Sequence, residues 1–327
     1  MREEAQRLQR LPAYVFSELD KIKAEKRAQG VDFIDLGMGS PDLPPPTPII
    51  DAMVEAIKKP DTHRYPTFDG MPEFRKAVVD FCHRQYGISI DQKNEVVPLI
   101  GSKEGVVHFT WAFVNPGDTI LTPSPAYPAH FRATILADGI PIIIPTTERA
   151  NYIPDLDRID PKIAKNARML ILSYPTNPTG ATVDLKFFEH AVEFAKKYDL
   201  VLVHDFAYAE IYFEGKKPPS IFQVKGAKDI AIEFHSLSKT FSMAGWRCGF
   251  AVGNARLIEI LARIKTNLDY GLFLAVQHAA VAALSLKDGY IEKTREIYQK
   301  RRDLFVDGLN SLGWKVKKPK ATFYIWA

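Results

Sequence analysis

At 327 residues the chain is long enough for about two domains, taking roughly 150 residues per domain as a guide. A composition of 46% hydrophobic and 25% charged residues excludes intrinsic disorder, which needs low hydrophobicity and high net charge. The net charge of +4 comes from 43 Lys and Arg against 39 Asp and Glu. These charges are spread along the chain, and no basic stripe interleaves with aromatics, so nucleic-acid binding is excluded as a reading.

The two cysteines, Cys82 and Cys248, give neither a disulfide framework nor a metal-ligand spacing. No metal is expected, and a reducing, cytoplasmic location is. Residues 1–12 lack the apolar core of a secretory signal. No apolar run reaches the 18 or so residues of a spanning helix, and the strongest, Leu272 to Leu286, is interrupted by Gln277 and His278.

In chain order, Glu3 to Arg27 reads as one or two charged surface helices, and Phe33 to Leu36 as a short strand. The proline-dense stretch Pro41–Pro48 forces an extended connection. A helix then starts at Thr47-Pro48, with the proline in its first turn. A second helix covers Gly70 to Tyr86, with Phe74, Ala77, Val78 and Phe81 at helical spacing.

From residue 96 onward, short apolar runs alternate with helical stretches. The runs are Val96–Ile100, Thr119–Leu121, Pro141–Ile144, Met169–Leu172, Leu200–Val203, Ile230–Phe234 and Gly249–Val252. Most are apolar at consecutive positions, the pattern of strands buried on both faces in a mainly parallel sheet covered by helices. The intervening helices are expected at Lys103–Val114, Pro128–Asp138, Lys186–Tyr198 and Ala255–Lys265. The expected fold is α/β: a large sheet domain over residues 47–286, preceded by an N-terminal segment 1–46. Residues 287–327 open a smaller α+β domain, with a charged helix from Gly289 to Leu312 and strands at Trp314–Val316 and Thr322–Trp326.

Chemistry-bearing residues fall just after predicted strands, the edge where open α/β sheets bind ligands. Ser236-Leu237-Ser238-Lys239 follows one such strand, with Arg247 eight residues on. A lysine there can be desolvated into a reactive amine, and the hydroxyls and guanidinium can hold a phosphate. A plain surface lysine in a polar loop is the competing reading. Asp205 closes another run and is followed by Tyr208; a carboxylate there can hold a protonated ring nitrogen or simply cap the next segment. Tyr174-Pro175-Thr176-Asn177-Pro178-Thr179-Gly180 presents the Asn177 amide rigidly, or is an ordinary Asn-Pro turn. Gly101-Ser102-Lys103-Glu104-Gly105 lets a phosphate approach a helix N-terminus, although glycine is common in such turns.

The order and spacing of these clusters resemble the aspartate-aminotransferase superfamily of fold-type-I, pyridoxal-phosphate (PLP) enzymes. The resemblance runs from about Leu11 to the last residue. Leu11-Pro12-x-Tyr14-Val15-Phe16, Gly101-Ser102-Lys103-Glu104-Gly105, Val203-His204-Asp205-x-Ala207-Tyr208 and Ala244-Gly245-Trp246-Arg247 look like the bacterial and plastid branch of alanine-forming and LL-diaminopimelate aminotransferases. The resemblance implies that Lys239 forms the internal aldimine with PLP and then moves the proton. It implies Asp205 on the pyridine nitrogen, Asn177 and Tyr208 on the phenolic oxygen, and Tyr127 stacked on the ring. Ser102, Lys103, Ser236, Ser238 and Arg247 are implied at the phosphate. Tyr65 is implied to reach the other subunit's phosphate, which makes the active unit a homodimer. Gly39 and Tyr14 are implied at the substrate.

By the same resemblance the chain is expected to be a C-terminally truncated member. The arginine that clamps the substrate carboxylate is expected beyond residue 327, since Arg301 and Arg302 lie in a different element. An unpaired strand edge at Thr322–Trp326 is then expected to lower solubility. The first-choice activity is amino transfer between alanine or glutamate and a 2-oxo acid, with LL-diaminopimelate or aspartate next. A PLP-dependent β-lyase and a catalytically silent PLP-binding protein are the readings from other classes.

Overall fold

The computed structural model describes residues 3–13, 15–37, 39–287 and 289–327, with backbone only at 15 and 16. Two helices, α1 (Gln6–Gln9) and α2 (Val15–Ala28), precede α3 (Thr47–Ile57) and α4 (Pro72–Tyr86). Both α3 and α4 begin with proline in the first turn, where its missing N–H is harmless. Gly87, in the left-handed conformation, ends α4.

The sheet domain follows as β1 (Val96–Leu99), α5 (Ser102–Phe113), β2 (Thr119–Ser124), α6 (Ala129–Leu136) and β3 (Ile140–Pro145). Then come α7 (Pro161–Asn166), β4 (Ala167–Leu172), α8 (Leu185–Tyr198), β5 (Val201–Asp205), β6 (Ala231–Ser236) and α9 (Leu237–Thr240). The last elements are β7 (Gly249–Gly253), α10 (Ala255–Leu268), α11 (Leu274–Leu284) and α12 (Gly289–Ser311).

The seven strands form one sheet in the order β1-β7-β6-β5-β4-β2-β3. Only β7 runs against its neighbours, pairing antiparallel with both β1 and β6. The other pairings are parallel, as consecutive apolar residues on both faces demand. One face packs Val106 and Phe109 of α5 and Leu257, Ile258 and Leu261 of α10. The opposite face packs Phe74, Val78 and Phe81 of α4, Phe188 of α8 and Ala279 and Ala283 of α11. The sheet is thus the middle of three layers, and both cysteines are buried and unbridged.

The N-terminal arm lies on the sheet domain. Arg7 and Arg10 both pair with Asp138 just after α6, and the Arg132 guanidinium donates to the Ala13 carbonyl at 2.9 Å. Asp42 pairs with Arg301 of α12 at 2.7 Å, joining the start of the chain to its last helix.

Three expected strands do not form. Phe33–Leu36 is irregular, with Ile34 and Leu36 left 88% and 71% exposed and no strand beside them. At Trp314–Val316 the Asn310 side chain of α12 takes the backbone hydrogen bonds of Val316 in both directions, which leaves none for a ladder. At Thr322–Trp326 a positive φ of 66° at Thr322 breaks the extended run. Among the described residues its backbone is joined to the body by a bridge between Tyr212 and Ala321, with a bond from Thr322 N to the Ile211 carbonyl at 2.8 Å. The solubility penalty expected from an open edge there has no strand to rest on. The short helix α7 was not read from the sequence; Asp160 caps it through Lys162 N and Pro161 opens it.

The antiparallel insertion of β7 has a tight requirement. A Cβ on Gly249 would stand 2.5 Å from the His235 carbonyl oxygen and 3.1 Å from the Ser102 nitrogen. Gly249→Ala is expected to lower stability by about 1–3 kcal/mol, the usual cost of overpacking. Denaturant unfolding measures this, and an unchanged midpoint would contradict the packing described.

Candidate active site

The C-terminal ends of β4, β5 and β6 and the turn after β1 converge on a cavity of about 430 Å³. Lys239 sits in it one turn beyond β6, on α9. The Ser236 side chain caps that short helix by accepting from Ser238 N at 3.2 Å. The Lys239 amine donates to the Gly39 carbonyl at 3.0 Å and faces the rings of Tyr208 and Phe323 at 5.8 and 5.5 Å. Burial first, and then the charge of Arg247, pull its pKa from 10.5 down to about 8. A lysine in that state is half converted to the free amine at mildly alkaline pH, so the plain surface-lysine reading is set aside.

One end of the cavity is built for an anion. Ser102, Lys103, Ser236, Ser238 and Arg247 all line it. The N-terminus of α5 has Gly101 at its cap, with no side chain to take up the first amides. Gly101 has φ +80°, and a Cβ there would stand 2.3 Å from the Arg247 guanidinium. Glycine therefore lets the turn and the guanidinium share this space. The turn is tied from behind by Glu104, which accepts from Ile100 N and from Lys265 Nζ, each at 3.0 Å. Burial raises the Glu104 pKa, but hydrogen bonds from His108 and Lys265 and the charge on Lys265 outweigh it and hold the carboxyl below its usual range. Glu104, His108 and Asp269 have the spacing of a cation site. The Lys265 ammonium already fills it, bonding both carboxylates.

The far wall carries Asp205, whose carboxylate is nearly fully buried. One oxygen meets His130 Nε2 at 3.0 Å and the other accepts from Ala207 N at 3.3 Å. The sequence reading did not find His130. It stands 75 residues before Asp205 on α6, and its only local signal is its place three residues after Tyr127, whose ring meets the imidazole edge-on at 5.8 Å. Asn177 Nδ2 and the Tyr208 hydroxyl converge on a single point, which the Tyr324 hydroxyl occupies at 3.2 and 2.8 Å. Burial first, then Tyr324, raise the Tyr208 pKa well above the ordinary phenol range, so it stays a neutral hydroxyl. Tyr324 also lies against Gly39, and the sequence reading did not assign it to the site either.

Tyr65 is 82% exposed, outside the cavity, and its ring pairs with Tyr270 at 4.9 Å. Tyr14 lies outside the described residues. Arg301 and Arg302 are engaged structurally, the first with Asp42 and the second with Glu214, Asp303 and the Pro319 carbonyl. Among the described residues no helix is long and apolar enough to cross a membrane.

The depressed pKa of Lys239 can be read directly. In competitive acylation followed by mass spectrometry, labelling of Lys239 is expected to reach half its plateau near pH 8, while an exposed lysine does so near 10.5. A midpoint near 10.5 for Lys239 would overturn the burial argument.

The chain that carries these features matches known proteins in sequence and in shape. Residues 31–327 match the sequence profile of the aminotransferase class I and II family. The LL-diaminopimelate aminotransferase of Desulforudis audaxviator is 49% identical over 324 residues, covering 99% of this chain and 83% of that protein. The enzyme of the same name from Halothermothrix orenii is 50% identical over 325 residues, covering 99% and 84%. Among solved structures, substrate-bound BacF from Bacillus subtilis superposes with a TM-score of 0.97 at 38% identity, covering 100% of this chain and 83% of that one. A double mutant of Thermus thermophilus aspartate aminotransferase gives 0.93 at 28% identity, covering 99% and 85%. The chain belongs to the class I and II aminotransferases, enzymes that work with pyridoxal phosphate.

Proposed function

We propose that this aminotransferase takes its amino group from LL-diaminopimelate and passes it to a 2-oxo acid. The observation that carries the reading is the name shared by the relatives at 48–50% identity over nearly the whole chain. They favour the second of the two substrate readings drawn from the sequence over alanine–glutamate exchange. The reaction is an exchange of amino and oxo groups between two acids and needs no outside oxidant.

The donor set supports the cofactor's place. Hydroxyls, a guanidinium and a helix N-terminus suit a phosphate at one end, and a buried carboxylate suits a protonated ring nitrogen at the other. When bound, pyridoxal phosphate supplies the aldehyde and the electron-withdrawing ring through which amino groups pass. The protein's own part is positioning and proton transfer. Ser102, Lys103, Ser236, Ser238 and Arg247 hold the phosphate. Asp205, oriented by His130, would pair with the ring nitrogen, and Tyr127 would pack against the ring. Tyr208 and Asn177, whose polar ends converge in the cavity, would hydrogen-bond the phenolic oxygen. Lys239, whose amine titrates near 8, takes the proton from the substrate carbon and returns it. Gly39 lines the substrate side.

The active unit is a homodimer in this reading, with the partner subunit's Tyr65 reaching the phosphate. The high exposure of Tyr65 and its pairing with Tyr270 at the surface support it. The chain divides as 1–46, 47–286 and 287–327, the first and last forming the smaller domain around the Asp42–Arg301 contact.

Three measurements test this. With PLP added, the wild type is expected to give a visible absorption band and a borohydride-trapped adduct on Lys239, and Lys239→Ala neither; a trapped adduct elsewhere would remove Lys239 from its role. With substrates offered singly, LL-diaminopimelate is expected to give kcat/KM at least about tenfold above alanine or glutamate, since discrimination by polar contacts is of that size or more; the reverse order would remove the substrate proposal. Mixing Lys239→Ala with Tyr65→Ala subunits is expected to restore roughly a quarter of full activity, because half the dimers are mixed and each has one intact shared site. Activity no higher than the two variants measured apart would remove the shared site.

A further inference from the structure

Glu233 lies in the middle of β6 with no exposure, on the sheet face away from α5 and α10. Its carboxylate accepts from His204 Nδ1 at 2.8 Å, from His235 Nε2 at 2.7 Å, from the Ser220 hydroxyl at 2.9 and 3.0 Å and from Ile221 N at 3.0 Å. Burial raises its pKa, but the hydrogen bonds and charges of the two histidines outweigh burial and hold it at about 2, so Glu233 is an anion. His204 is also fully buried, with Phe188 at 4.8 Å and Phe206 at 4.7 Å between ring centroids. Its Nε2 meets the Tyr174 carbonyl at 3.0 Å. Both ring nitrogens of His204 therefore lie against acceptors, a carboxylate and a carbonyl.

A buried ion pair that makes no contact with the cavity is costly to desolvate, and apolar residues of the same size often do as well for stability. Its position relative to the site is what sets it apart. Tyr174 opens the turn Pro175-Thr176-Asn177, and its own hydroxyl is tied to the Tyr152 carbonyl at 3.0 Å. Two prolines at 175 and 178 leave this turn little freedom, so a fixed carbonyl at 174 fixes the amide at 177. His204 is also the residue just before Asp205, and His235 the one just before Ser236.

We propose that His204 and Glu233 are positioning residues for Asn177: the buried pair pins the Tyr174 carbonyl and thereby sets where the Asn177 amide points in the cavity. This rests on the reading that Asn177 donates to the phenolic oxygen of bound PLP. An N–H aimed at that oxygen stabilises its negative form. The oxygen then holds a proton on the neighbouring nitrogen less strongly, and the pH midpoint of the cofactor's visible absorption falls. Losing the alignment raises that midpoint.

The experiment is a spectroscopic pH titration of the PLP-loaded protein as wild type, Asn177→Ala, His204→Phe, Glu233→Gln and the double variant Asn177→Ala with His204→Phe, with thermal midpoints recorded alongside. Phenylalanine keeps the aromatic packing and removes both donors. Glutamine keeps the shape of Glu233 and removes its charge, and stands in should the His204 variant fail to fold. Asn177→Ala is expected to raise the midpoint by about 0.5–1 pH unit, the size of one hydrogen bond. His204→Phe and Glu233→Gln are expected to shift it the same way by a smaller amount, and the double variant to shift no further than Asn177→Ala alone. If Asn177→Ala leaves the midpoint unmoved, the reading of Asn177 falls and the proposal with it. If Asn177→Ala shifts it while His204→Phe and Glu233→Gln lower only the thermal midpoint, the reading stands and the proposal is overturned. Shifts that add in the double variant overturn it equally, because the histidine then acts by a route other than Asn177.

Discussion

The Lys239 amine has to be a free base inside a cavity furnished to attract negative charge. Those demands agree, because desolvation and a nearby cation both disfavour its ammonium form. Arg247 stands close enough to repel the ammonium, and burial among Tyr208, Phe323 and the β6 end removes the water that would stabilise it. The guanidinium that fits a phosphate therefore also primes the lysine. The backbone arrangement follows from this pairing: β6 must deliver Lys239, the next turn must deliver Arg247, and the turn after β1 must pass close enough to Arg247 that only glycine fits at 101.

The strand ends reach the cavity as loops, which are the least constrained parts of an α/β domain. Two buried charge clusters hold these loops from behind. Glu104, Lys265 and Asp269 tie the 101–105 turn to α10, and Ile100 N is part of the same network. On the other side of the sheet, Glu233 with His204 and His235 ties β5 and β6 to the turn that carries Asn177. Each cluster satisfies its polar atoms internally, so buried charge is tolerable there.

The last segment, after α12, is attached differently from the elements before it. Its backbone meets the body at the bridge between Tyr212 and Ala321, and Tyr324 reaches into the cavity and takes the hydrogen bonds of Tyr208 and Asn177. A phenol oxygen at that point shows that the Asn177 amide and the Tyr208 hydroxyl are spaced to reach one oxygen atom. The phenolic oxygen of the cofactor is of the same chemical kind.

Much of this protein is written locally in its chain. Seven apolar runs mark the seven strands described, since a strand covered on both sides is apolar at most positions, and Pro and Gly mark helix starts and turns. Lys239, Asp205, Asn177 and the 101–105 turn stand out because each directly follows such a run. The tertiary structure decided what depends on distant partners. His130 reaches Asp205 across 75 residues, Lys265 reaches Glu104 across 161, and Tyr324 reaches Asn177 across 147. The same is true of the segments that look extended in sequence and are not: Phe33–Leu36 found no neighbour, and the Asn310 side chain took the bonds of Val316. Local pattern fixes which residues are apolar and where the chain can turn, whereas a hydrogen bond or an ion pair exists only once folding has brought both of its halves together.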